Sequence, residues 1–181
     1  MSMWIELWKM IEGWLRDTSV DPGGDYSTGV SKKIGWTGYD RGTEEREQRA
    51  AVVASMRADL GDSYKFGVEV AKGEESDLWD CSEKVQDAYS DAGKEMPDGA
   101  QYQYNFCRPV VSDKPGDLGF LWSDERKVIG HVMVFTGDGT VIHAVGGRGV
   151  VEDDAGRWTG HARFRGIRRH PDFARPEEDR P

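Results

Sequence analysis

Ile129-Gly130-His131-Val132-Met133-Val134-Phe135-Thr136-Gly137-Asp138-Gly139-Thr140-Val141-Ile142-His143-Ala144 decides the fold class. Two runs rich in β-branched and aromatic residues flank Gly137-Asp138-Gly139, which predicts a β-hairpin with strands over 130–136 and 140–145. Alternation puts His131, Met133 and Phe135 on one face of the first strand and Val132 and Val134 on the other. Counting back across the turn sets Phe135 near Val141, Met133 near His143 and His131 near Val145. The two histidines become same-face neighbours, close enough for one imidazole to orient the other.

Outward from the hairpin, 117–122 and 164–168 read as further strands. Upstream lie two helical patterns. One starts at Thr43, a cap residue followed by Glu44 and Glu45, and carries Val52, Val53, Met56 and Leu60 to Gly61. The other opens at Asp80 or Cys81, sets Val85, Ala88, Tyr89 and Ala92 on one face, and stops at Gly93. Helices followed by a run of strands predict an α+β fold in which an antiparallel sheet packs on helices.

Domain organisation follows from composition. Trp4, Leu7, Trp8, Ile11, Trp14 and Leu15 form one apolar face of an amphipathic helix, and Asp21-Pro22-Gly23-Gly24 opens a linker. Residues 1–42 are thus expected to be a helix and linker, with the helix docking on its own protein because its polar face is acidic. Residues 43–170 form the main domain, and 171–181, rich in Pro, Glu, Asp and Arg, a disordered tail. A length of 181 residues supports one core.

The net charge of −9 disfavours binding to phosphate backbones, although Arg163, Arg165, Arg168 and Arg169 cluster locally. No apolar run reaches the ~20 residues of a membrane span. Glu6, Lys9 and Glu12 interrupt the apolar N-terminus, so neither a transmembrane segment nor a classical signal peptide is expected.

Of the two cysteines, Cys107 lies in an aromatic-rich irregular stretch, whereas Cys81 stands where a helix begins. A thiol attacks as thiolate, and a helix N-terminus and an adjacent imidazole both favour that form. The first helical turn also leaves backbone N–H groups for an oxyanion. Cys81 as nucleophile, His131 as base and His143 as orienter make a consistent set. A zinc site built from Cys81, His131 and His143 stays open as an alternative, although the usual close Cys-x-x-Cys pair is missing.

Four blocks in order then resemble the NlpC/P60 family of cell-wall cysteine peptidases. They are Tyr64-Lys65-Phe66-Gly67, Asp80-Cys81-Ser82, Pro115-Gly116-Asp117-Leu118, and the hairpin from His131 to His143. The resemblance runs from about Tyr64 to about Arg169 and implies a papain-like fold with the nucleophile at a helix N-terminus. It implies a Cys81, His131, His143 peptidase without cofactor, acting on peptidoglycan stem peptides, for example at a γ-D-glutamyl link to a diamino acid. Tyr64 would face the oxyanion, and Asp80 and Ser82 would line the substrate pocket. Without a signal peptide, a phage or prophage lysin or a tail-associated peptidase is the expected setting. A wall-peptide binding module, or an amidase or acyltransferase on the same scaffold, is the alternative. Glu83 replaces the family's Gly and sets a charge beside the nucleophile that disfavours the thiolate unless it points to solvent.

Overall fold

The computed structural model describes residues 37–174. The amphipathic helix and most of the linker expected over 1–42, and 175–181 of the expected tail, lie outside the described residues.

Helix α1 spans Thr37–Ala58 and buries Val52, Val53 and Met56. It begins six residues before the Thr43 start expected from capping, because extending a formed helix costs far less than nucleating one. Two short parallel strands follow, β1 at Ser63–Tyr64 and β2 at Leu78–Trp79. Helix α2, Cys81–Asp91, starts directly after β2 and buries Val85, Ala88 and Tyr89. Its stop is the predicted one: Gly93 takes φ 71°, and the Lys94 N–H reaches back to the Tyr89 carbonyl at 2.8 Å.

The connection after α2 holds a helix that the sequence reading did not find, α3 at Ala100–Phe106. Then come β3 at Arg108–Val110, β4 at Leu118–Ser123, β5 at Val128–Phe135, β6 at Thr140–Val145 and β7 at Gly149–Asp154. Helix α4, Ala155–Thr159, leads into β8 at Phe164–Arg169. The six strands form one antiparallel sheet in the order β3-β8-β4-β5-β6-β7. In the hairpin Phe135 pairs with Val141 and Val134 with Ile142, the register that the turn dictates.

Both faces of this sheet are buried. Leu118, Phe120, Val132, Val134, Ile142 and Ala144 pack with the residues of α1 and α2, and each large apolar side chain there contributes about 1.5–3 kcal/mol. On the opposite face Leu121, Met133, Phe135 and Val141 meet Trp158, Phe164 and Ile167. The tail expected from residue 171 begins later. Pro171–Phe173 form a 3-10 turn, and Phe173 is buried against the Tyr89 and His170 rings and the Arg49 guanidinium. One aromatic with a cavity to fill outweighs the polar composition around it.

The basic cluster is only partly at the surface: Arg163 and Arg165 are exposed, while Arg168 and Arg169 turn inward. Arg169 is buried on Asp117, with Nη2 2.7 Å from Oδ2, and Arg168 lies 3.6 Å from the centre of the Tyr104 ring. No helix among the described residues is long and apolar enough to cross a membrane.

Candidate active site

The residues around Cys81 are arranged by one carboxylate. Asp80 is the N-cap of α2, and its Oδ1 accepts hydrogen bonds from the Ser82 N–H, the Ser82 hydroxyl and the Glu83 N–H, each at 2.9 Å. Its Oδ2 accepts from the Gly67 N–H at 3.1 Å, which ties the loop after Tyr64 to the helix start. Asp80 and Ser82 are therefore helix-cap partners, both nearly buried.

Cys81 is the first residue of α2 and is only 6% exposed. Helix α2 packs on β5 and β6, the strands that carry His131 and His143. Helix start and hairpin thus meet. Burial, and then the Asp80 charge, push the thiol up to about 11, while the Val132 and Ser82 N–H groups and Arg126 pull it down. Cys107 is a free, buried thiol pushed up to about 12 by desolvation.

His131 and His143 face each other across the hairpin, with His131 Nε2 2.7 Å from His143 Nδ1. His131 is half-buried and pushed down to about 3, by desolvation first and then by the neighbouring imidazole. His143 is fully buried, and desolvation lowers it too. On its far side His143 Nε2 lies 3.1 Å from Asp153 Oδ2. Trp158 packs edge-on against His143, ring centres 4.6 Å apart, and lies 6.1 Å from His131. Desolvation thus favours the neutral form of both Cys81 and His131.

Tyr64, half-buried at the end of β1, is raised by desolvation and by the charges of Cys81 and Asp80, so its hydroxyl stays a donor. Arg126, in the turn between β4 and β5, donates to the Gly130 carbonyl at 2.8 Å, one residue before His131. Its guanidinium lies 5.1 Å from the centre of the exposed Phe66 ring. A Cβ on Gly130 would sit 2.8 Å from Arg126 Nη2 and 2.6 Å from Ser123 Cβ, so only glycine allows this approach. The Arg126 charge acts on Cys81, His131 and Tyr64 alike, opposite in sign to Asp80.

Glu83 does not face the nucleophile. Its carboxylate accepts the Val70 N–H at 2.9 Å, and it lines a cavity of about 300 Å³ with Val70, Gln86 and Met96, on the side of α2 away from the thiol. The penalty expected of a charge beside Cys81 is absent because Val70 holds that carboxylate elsewhere. A zinc site is disfavoured by geometry, since the facing nitrogens of His131 and His143 are engaged with each other. Among the described residues no group of His, Cys, Asp or Glu is arranged to hold a metal ion.

Sequence reasoning missed Asp153, Arg148, Trp158 and Arg126. The first three sit on β7, the turn before it and α4, none of which was read as an element.

The NlpC/P60 family model matches residues 61–169, more than half of the chain. A protein named Probable endopeptidase from Corynebacterium glutamicum is 36% identical over 97 residues, covering 52% of this chain and 42% of its own length. Probable endopeptidase p60 of Listeria monocytogenes is 32% identical over 95 residues, covering 51% of this chain and 18% of its own. The chain spans less than half the length of these relatives. Among solved structures, the P60 domain of a M. avium paratuberculosis antigen superposes with a TM-score of 0.59 at 16% identity, covering 72% of this chain and 98% of that one. The peptidoglycan hydrolase RipB of Mycobacterium tuberculosis gives 0.55 at 24% identity, covering 91% and 79%. These superpositions show a shared papain-like α+β fold.

Proposed function

This chain belongs to the NlpC/P60 family, and from that premise we propose that it hydrolyses an amide bond in peptidoglycan stem peptides through a Cys81 thioester. The observation that carries the reading is the meeting of three parts. Helix α2, which Cys81 opens, packs on β5 and β6, those strands carry His131 and His143, and His131 Nε2 lies 2.7 Å from His143 Nδ1.

In the first step His131 Nδ1 takes the thiol proton as sulfur attacks the amide carbonyl carbon. The Cys81 N–H and the Tyr64 hydroxyl are the donors we assign to the developing oxyanion, because the Ser82 and Glu83 N–H groups are spent on Asp80. The imidazolium then protonates the leaving amine as the C–N bond breaks, which leaves a thioester. Water, deprotonated by His131, attacks the thioester, and the thiol is restored with release of the acid. His143 holds the His131 ring throughout.

Charges of opposite sign act on Cys81, the Asp80 cap beneath it and Arg126, which lies over the exposed Phe66 ring. That suits a substrate with an ammonium and a carboxylate near the scissile amide, as in a γ-D-glutamyl link to a diamino acid. A phage-type lysin or tail-associated peptidase is the setting we assign. The protein added from outside is then expected to lower the turbidity of susceptible cells.

The test is digestion of purified walls by the native protein and by Cys81→Ala, with circular dichroism to check folding. Turnover lost with the thiol supports the reading. Tight binding without turnover by the native protein would instead make this a wall-peptide binding module.

A further inference from the structure

Asp153 lies behind the histidine pair, and its local chemistry is not explained by the fold. It is only 11% exposed. Its Oδ2 meets His143 Nε2 at 3.1 Å, Arg148 Nη1 at 2.8 Å and Trp158 Nε1 at 3.2 Å, and its Oδ1 meets Arg148 Nη2 at 2.6 Å. Helix capping does not account for it, because the cap of α4 is Asp154, whose Oδ1 accepts the Arg157 N–H. An ion pair with Arg148, which is 42% exposed, adds little to stability by itself.

What the arrangement fixes is the position of protons. The Trp158 indole and the Arg148 guanidinium only donate, and the carboxylate between them only accepts. Arg148 holds the Asp153 carboxyl well below the usual carboxylate range, with His143 adding to the effect. His143 must therefore place its proton on Nε2, facing Asp153, which leaves His143 Nδ1 as an acceptor. At 2.7 Å from that acceptor, His131 Nε2 must carry a proton. The free lone pair of His131 is then on Nδ1. With the opposite tautomer of His143, the lone pair would sit on His131 Nε2, and Nδ1 would carry a hydrogen it cannot exchange for the thiol proton.

We propose that Asp153, clamped by Arg148 and Trp158, is a positioning residue that sets the tautomers of His143 and His131 so that His131 Nδ1 is the base. This rests on the peptidase reading above. No proton moves along the relay: the thiol proton stops at His131, His143 stays neutral and Asp153 stays ionised. The charged groups acting on the pair are Asp153, Arg148 and Arg157 from the β7 and α4 side, and Arg126 from the other.

The experiment combines nitrogen NMR of the histidines in the native protein, without substrate, with kinetics of Asp153→Asn, Asp153→Glu and Arg148→Gln. The expected spectrum has His143 protonated at Nε2 and His131 at Nε2 with Nδ1 bare. Asp153→Asn, which puts a donor where Arg148 and His143 need acceptors, is expected to lower kcat about 100-fold, within the range of general-base effects, with KM little changed. Asp153→Glu recovers part of that loss. Arg148→Gln, a surface change that keeps the carboxylate, is expected to lose less and to raise the acid limb of the pH profile. His143 protonated at Nδ1 in the native protein, or an undiminished kcat in a folded Asp153→Asn, would overturn the proposal. Since the tautomers are read without turnover, the two readings fail separately. Reversed tautomers in a chain that cleaves walls sink only the Asp153 role, and the expected tautomers in a chain that cleaves nothing sink only the peptidase reading.

Discussion

Cys81 sits in surroundings that pull in two directions. The helix start and the Val132 N–H favour the thiolate, but burial and the Asp80 cap outweigh them, so the resting thiol is neutral at about 11. Activation is thus tied to the moment of attack, when His131 takes the proton. Alkylation of Cys81 by iodoacetamide is therefore expected to rise with pH to a half-point above the ~8.5 of a free thiol, and a half-point near 6 would contradict this. The candidate residues themselves were legible from chemistry and order, since a Cys at a helix start and two His in a hairpin mark their own positions. Asp153 was not. It stands in Glu152-Asp153-Asp154, and consecutive acids read as solvated loop, with nothing local to say that one of them turns inward.

Strands β4 and β5 announce themselves by alternation of apolar residues, β6 by its β-branched residues, and the hairpin register by its Gly-Asp-Gly turn. Strand β7 does not, because only Val150 and Val151 carry its pattern before the acids begin. Its place is fixed instead by distant backbone: Gly61 N–H donates to the Val150 carbonyl and Val150 N–H to the Asp62 carbonyl, both at 2.9 Å. Helix α3 was missed since seven residues are too few to show a helical period in a run of Tyr and Gln. The strongest tie between elements is ionic. Asp117, fully buried at the entry to β4, accepts Arg49 Nη1 at 3.0 Å from α1, Arg169 Nε at 2.9 Å from β8, and the Lys114 N–H at 2.8 Å. Removing the carboxylate leaves two buried guanidinium groups without their shared charge. Asp117→Ala is expected to lower unfolding stability by about 3–5 kcal/mol in urea melts, and a loss under about 1 kcal/mol would show that the pairing is not what joins α1, β4 and β8.

Three imidazoles among the described residues favour the neutral form. Desolvation lowers His131, His143 and His170 below the ordinary imidazole range, His131 to about 3. In the unfolded chain each titrates near ~6.5, so between these values the unfolded state binds more protons. The stability they contribute is complete above about pH 6.5 and is lost as pH falls toward about 3. Glu83 and Asp87, raised by burial, work the other way near and above their ordinary range, but the His131 displacement sets the net sign. Urea midpoints are expected to fall steadily from pH 7 to pH 4, and a flat or rising midpoint would contradict the neutral histidine pair.

The most direct measurement is mass spectrometry of purified wall fragments after incubation with the native protein and with Cys81→Ala. The native protein is expected to release peptides cut at one stem-peptide amide, each new carboxylate gaining one water, while Cys81→Ala, with an unchanged circular dichroism spectrum, releases none. Fragments cut equally by Cys81→Ala, or walls left whole by a folded native protein, would contradict the assignment of Cys81 as the nucleophile of a stem-peptide hydrolase.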